Sequence, residues 1–120
     1  ERAAADAAAQ GQPDLRILLY HTPDLAPQAA AAGVDLYLCG HTHGGQVRLP
    51  GLGALLTGSR FGQRYVLGLN RLPSGGSIHT TRGTGCEGLR LPRLRGLCPP
   101  EIAVLDGAVS EPTPRVAPPT

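Results

Sequence analysis

The sequence predicts an α/β (α+β) fold, and three observations carry that reading. Short apolar runs at residues 16–20 (RILLY) and 35–39 (DLYLC) flank a stretch with helix-start and helix-stop signals, the pattern of a strand–helix–strand unit. Downstream, four further short runs are separated by Gly and Pro clusters, as in hairpins. Finally, 17 Gly and 12 Pro make up nearly a quarter of the 120 residues and leave little room for long uninterrupted helices.

Residues 1–10 (ERAAADAAAQ) read as the tail of an Ala-rich helix, stopped by Gly11 and Pro13. Residues 16–20 form a buried strand with His21 at its C-terminal end. Thr22 then offers a capping hydroxyl and Pro23 a first helical position, so a helix runs from there through Ala32 and closes at Gly33. Residues 35–39 are the second strand. A right-handed crossover through the helix makes the two strands parallel neighbours in one sheet. Ligands bind just past the C-terminal ends of such strands, so His21 and His41 are expected side by side despite their separation in sequence.

After this unit, residues 46–49, 65–69, 77–81 and 101–105 read as strands of an antiparallel meander or of hairpins, and residues 52–56 as one turn of helix. From Asp106 the chain becomes Pro-rich (EPTPRVAPPT) with few apolar anchors. That predicts one domain over residues 1–106 and a disordered tail over 107–120. No internal repeat is present.

Composition narrows the function. The aromatics are Phe61, Tyr20, Tyr37 and Tyr65, so the core must come mainly from Leu, Val, Ile and Ala. All 11 basic residues are Arg, they are scattered, and the net charge is +2, which gives no nucleic-acid-binding surface. Arg90, Arg93 and Arg95, interleaved with Leu89, Leu91 and Leu94, read either as an exposed loop or as a peripheral contact with an anionic membrane. No apolar stretch approaches the roughly 20 residues of a membrane span, and the start lacks a secretory apolar segment. The compartment is therefore open between cytoplasmic and membrane-associated. There is no Met, even at position 1, so the chain is expected to be a piece of a longer protein. Cys39, Cys86 and Cys98 are odd in number and far apart, and read as buried free thiols.

The sharpest feature is Cys39-Gly40-His41-Thr42-His43-Gly44-Gly45. Two imidazoles two positions apart point to one side of a loop, and the flanking glycines leave room for an ion or a phosphate. Neutral imidazole is a good ligand for zinc, iron, manganese or nickel. A bare His-x-His is often only a surface turn. Here it follows an apolar strand, with His21 at the end of the neighbouring one. His79 alternates with Ile78 and Thr80, has no His or carboxylate partner nearby in sequence, and reads as a structural or surface His. Three imidazoles can hold one zinc with an open position. A two-metal centre needs more ligands and a bridging oxygen. None of Asp14, Asp24, Asp35, Glu87, Glu101 and Asp106 sits at a strand end beside a second ligand, so bridging carboxylates are not expected in this chain.

With these residues in place, the chain resembles the C-terminal half of a calcineurin-like metallophosphoesterase. The elements are Leu-Leu-Tyr-His21-Thr-Pro-Asp and Asp-Leu-Tyr-Leu-Cys-Gly-His41-Thr-His43-Gly-Gly-Gln-Val-Arg-Leu-Pro. The branch it is most similar to holds the bacterial YkuE- and YaeI-type phosphodiesterases, related to UDP-2,3-diacylglucosamine hydrolases. Gly-Gln-Arg-Tyr65-Val-Leu-Gly-Leu, Thr-Thr-Arg82-Gly-Thr-Gly and Leu-Cys98-Pro-Pro-Glu101-Ile resemble its closing strands. The likeness runs from about Leu18 to Leu105.

The resemblance implies a sandwich of two facing mixed sheets flanked by helices, and hydrolysis of phosphoesters at two divalent ions, manganese, iron or zinc. It implies that His21 and His41 bind one ion and that His43 binds the other. The family's Asp-x-His, Gly-Asp-x-x-Asp and Gly-Asn-His-Asp elements are absent, and belong upstream. The chain alone is then expected to be inactive, with the N-terminal half of the same domain as its partner. Arg82, in a Gly-rich turn, is the candidate for contact with a phosphoester substrate, with Arg48 weaker. A phospholipid or a sugar-nucleotide lipid are substrate candidates. Two rival readings stand beside this one: a self-contained three-His zinc hydrolase, and a non-catalytic metal-binding remnant.

Overall fold

The computed structural model describes residues 15–86 and 95–107. The Ala-rich start, Arg90 and Arg93, and the tail from residue 108 lie outside the described residues. Strand β1 (Ile17–Leu19) leads through a 3-10 turn (Pro23–Leu25) and helix α1 (Ala26–Ala31) to β2 (Leu36–Cys39). The helix start follows the sequence chemistry. The Thr22 hydroxyl accepts a hydrogen bond from the Asp24 N–H, and Pro23 occupies the first turn, where its missing N–H costs nothing. Strands β1 and β2 are parallel, with Leu18 opposite Tyr37.

A short hairpin of β3 (Arg48–Leu49) and β4 (Gly53–Ala54) comes next, then a 3-10 turn (Gly62–Tyr65), β5 (Gly68–Arg71) and β6 (Ser77–Thr80). The main sheet has the order β1-β2-β6-β5, with β6 parallel to β2 and antiparallel to β5. The expected meander is therefore two separate hairpins, one of which completes the sheet of the first unit.

Three element assignments need correction. Residues 52–56 hold strand β4 rather than a helical turn. Pro50 and Gly51, the latter at φ 76°, turn the chain, and the Leu52 N–H closes that turn on the Leu49 carbonyl (3.2 Å). The strand expected at 65–69 begins at Gly68, because residues 62–65 coil first. Residues 101–107 have no regular structure and find no strand to pair with among the described residues.

Alternation sorts the sheet into two faces. On one, Tyr37, Cys39, Ile78 and Thr80 are buried and Leu18 packs against them. Helix α1 covers this face with Ala26 and Ala29, while Tyr65 and Leu72 close its far side. The other face carries Ile17, Leu19 and Leu69 at 52%, 73% and 65% exposure. Between them Leu38 and His79 floor a groove of about 370 Å³, walled by Thr81, Glu101, Ile102 and Leu105. His79 is thus part of the sheet's second face.

Candidate metal centre

Backbone pairing continues past the ends of β1 and β2. The Tyr20 N–H donates to the Leu38 carbonyl (3.2 Å) and the Gly40 N–H to the His21 carbonyl (3.0 Å). The residues that follow the two strands are therefore fixed beside each other. The outcome is that Nε2 of His21 and Nδ1 of His41 lie 3.1 Å apart, with the rings edge to face at 64°. His21 is exposed and His41 half-buried, so the pair opens to solvent on one side.

The loop after β2 is bent by residues in the left-handed region. His41 and His43 have φ of 67° and 49°, and Gly44 and Gly45 of 66° and 86°. Histidine is among the side chains that tolerate this region, but it still needs support from its surroundings. Thr42 gives that support from between the two. It is 4% exposed, its hydroxyl donates to the Val66 carbonyl (2.7 Å), and it accepts from the Gly44 N–H (3.3 Å).

His43 points elsewhere. Its Nδ1 lies 3.4 Å from Nη2 of Arg95, and its carbonyl accepts from the Cys98 thiol at 3.3 Å. Arg95 in turn spreads its guanidinium over the carbonyls of Gly85 (3.0 Å), Arg82 (2.9 Å), Gly83 (3.2 Å) and Cys98 (3.2 Å). Among the described residues no three His, Cys, Asp or Glu side chains converge as one ligand set. Two imidazoles come together, and the three-imidazole site of the zinc-hydrolase reading is not formed by these residues. Arg82 is half-buried and held by Glu101, whose Oε2 accepts from Nε (2.7 Å) and Nη2 (2.5 Å).

The chain is similar to Phosphodiesterase YaeI of Escherichia coli K12, with 43% identity over an alignment of 96 residues that covers 76% of this chain and 32% of that protein. It is 44% identical to the "Uncharacterized metallophosphoesterase YkuE" of Bacillus subtilis 168 over 88 residues, 73% of this chain and 29% of that protein. These similarities are consistent with the C-terminal part of the YaeI- and YkuE-type family. It spans about a third of the length of these curated relatives. No family model matches it, and no solved structure does.

Two residues that support the loop histidines were not assigned that part by sequence reasoning. Thr42 sits between the two loop histidines, where a hydroxyl could have been read as a turn clamp. Arg95, read from the sequence only as part of an exposed loop or a membrane contact, is instead half-buried and serves carbonyls of the 82–85 turn and of Cys98. Below the site, burial pushes the Tyr37 phenol well above the ordinary tyrosine range, with the nearby Cys39 adding to the effect. Its hydroxyl donates to the Thr22 carbonyl, next to His21. Burial also pushes the Cys39 thiol up, partly offset by its contact with the Thr80 hydroxyl. Among the described residues no helix is long and apolar enough to cross a membrane.

Proposed function

We propose that this chain supplies one side of the metal centre of a phosphoester hydrolase. In this reading His21 and His41 hold one divalent ion (manganese, iron or zinc) and His43 serves a second. The observation that carries it is the 3.1 Å separation of His21 Nε2 and His41 Nδ1. Two nitrogens bound to one ion at about 2.0–2.1 Å lie about 2.9–3.4 Å apart across an octahedral or tetrahedral edge. The observed spacing falls in that window. Both imidazoles must then be neutral, with the proton on Nδ1 of His21 and on Nε2 of His41. A bound ion supplies Lewis acidity toward a phosphoryl oxygen. Arg82, oriented by Glu101, is the cation assigned to the phosphoester.

The chain by itself is assigned no turnover. Only two imidazoles converge among the described residues, with no carboxylate beside them. The exposed leucines and Ile17 on the second sheet face fit the need for a further layer, since parallel strands are normally covered on both sides. The assigned partner is the N-terminal half of the same domain, and the substrate class a phosphodiester or phosphomonoester, lipid-linked ones included.

Cobalt(II) titration of the 120-residue chain, followed by its visible absorption, tests the metal pair. His21→Ala and His41→Ala should each weaken binding at least tenfold. Equal binding by both variants and the unchanged chain would remove the reading. Hydrolysis of a bis-aryl phosphate by the pure chain with manganese, absent in His41→Ala, would overturn the assignment of no turnover.

A further inference from the structure

We propose that Asp24 is a positioning residue for the imidazole pair, holding the turn at residues 57–60 against the outer edge of the His41 ring. The inference rests on the reading that this pair binds a metal ion. Oδ1 of Asp24 accepts two hydrogen bonds from far along the chain, from the Ser59 hydroxyl (2.7 Å) and the Arg60 N–H (3.1 Å). Ser59 organises the rest of the turn. Its hydroxyl accepts from the Phe61 N–H (3.2 Å), and its carbonyl accepts from the Thr57 hydroxyl (3.2 Å). The carboxylate therefore anchors Ser59, which makes two of the turn's own hydrogen bonds, and Arg60 directly.

At the tip of that turn is Gly58, at φ 60°. A Cβ built there would lie 3.5 Å from Nε2 and 3.7 Å from Cδ2 of His41. The turn thus lies along the ring edge that faces away from His21, while Nδ1 on the other edge faces His21. His41 is flanked on both edges, and its own backbone is in the left-handed region, which persists only with support from its surroundings.

Metal-binding histidines are usually oriented by a hydrogen bond from the second ring nitrogen, whose loss typically costs about 10- to 100-fold in metal affinity. Here Nε2 of His41 has the Gly58 turn beside it, a steric support rather than a hydrogen bond, so the low end of that range is the effect expected. Asp24 also belongs to the short segment that carries His21. A single carboxylate so couples the two imidazoles, one through the chain and one through the turn. Its part is to accept two hydrogen bonds, which an Asn Oδ1 can also do. Its negative charge is not required.

The test combines cobalt(II) titration of the full 120-residue chain with the nuclear Overhauser contact between the His41 ring and the Gly58 Hα in metal-free protein. Asp24→Ala and Ser59→Ala should lose the contact and weaken cobalt binding about tenfold. Asp24→Asn should keep the contact and bind within about threefold of the unchanged chain. Asp24→Asn failing as badly as Asp24→Ala would mean a charge or ligand role and overturn positioning. Retention of both contact and affinity in Ser59→Ala would also overturn it, and decides the matter if Asp24→Ala does not fold. If the unchanged chain and His41→Ala bind cobalt equally, the metal reading fails. The metal-free ring contact still decides whether Asp24 holds the turn.

Discussion

The hydroxyl of Thr42 donates to the carbonyl of Val66 over 2.7 Å, and this bond ties the loop carrying His41 and His43 to the segment that enters β5. The same oxygen accepts from Gly44, so one buried atom satisfies two backbone groups. Thr42→Val keeps the shape and removes both partners. It should destabilise the fold by about 1–3 kcal/mol, the cost of stranding buried polar groups. Thr42→Ser should recover most of that. Urea denaturation of the three proteins checks the order, and a Val variant as stable as Ser would show that the hydroxyl contributes little.

Gly44 is required twice over. Its φ is 66°, and a Cβ there would stand 2.7 Å from both Arg82 Cγ and Cys98 Sγ. Gly44→Ala should therefore lower the melting temperature and disturb the Arg82–Glu101 pair. Gly51, also at positive φ, has open space around its Cβ position. Gly51→Ala should carry only the backbone cost, on the order of 1 kcal/mol. Equal melting temperatures for the two variants would contradict the packing argument.

Arg95 serves the carbonyls of Gly85, Arg82, Gly83 and Cys98 with one planar fork. A lysine ammonium cannot reproduce that geometry. Arg95→Lys should increase amide exchange in residues 82–86 selectively, with the β1-β2-β6 strands unaffected. Unchanged exchange in that turn would mean the fork does not hold it.

Stability should fall at alkaline pH because Tyr37 is protonated in its buried site. Its folded pKa lies above the unfolded one, so the contribution is full below the ordinary tyrosine value of about 10 and is lost as pH rises from there. The thiol of Cys39, shifted the same way, adds a loss that begins above about 8.5. A plot of melting temperature against pH should bend downward over this range. Tyr37→Phe, less stable at neutral pH for want of its bond to Thr22, should show a shallower bend above pH 10.

The parallel strand–helix–strand unit was legible because each of its parts is local. Alternating apolar residues, the Thr22-Pro23 start and the Gly33 stop specify β1, α1 and β2 within 25 or so positions, in line with strand and cap chemistry. From that unit alone His21 and His41 had to meet, and they do at 3.1 Å. The Pro50-Gly51 turn was also present in the sequence, though the apolar residues after it suggested a helix. The strand expected at 101–105 was not formed, because a strand is defined by a partner edge and an apolar run cannot say whether one is present.

What the sequence by itself determined is which side chains stand at the strand ends and the order of the first elements. Those depend on residue type, spacing and short-range backbone preference. Only the tertiary structure decided that β6 docks parallel to β2, that His43 turns to Arg95, and that Arg82 is held by Glu101. It also decided that Asp24 reaches Ser59. The reason is physical. Each of these contacts joins segments far apart in the chain, so its free energy depends on how the sheet and loops close in space, and no local pattern of residues encodes that closure.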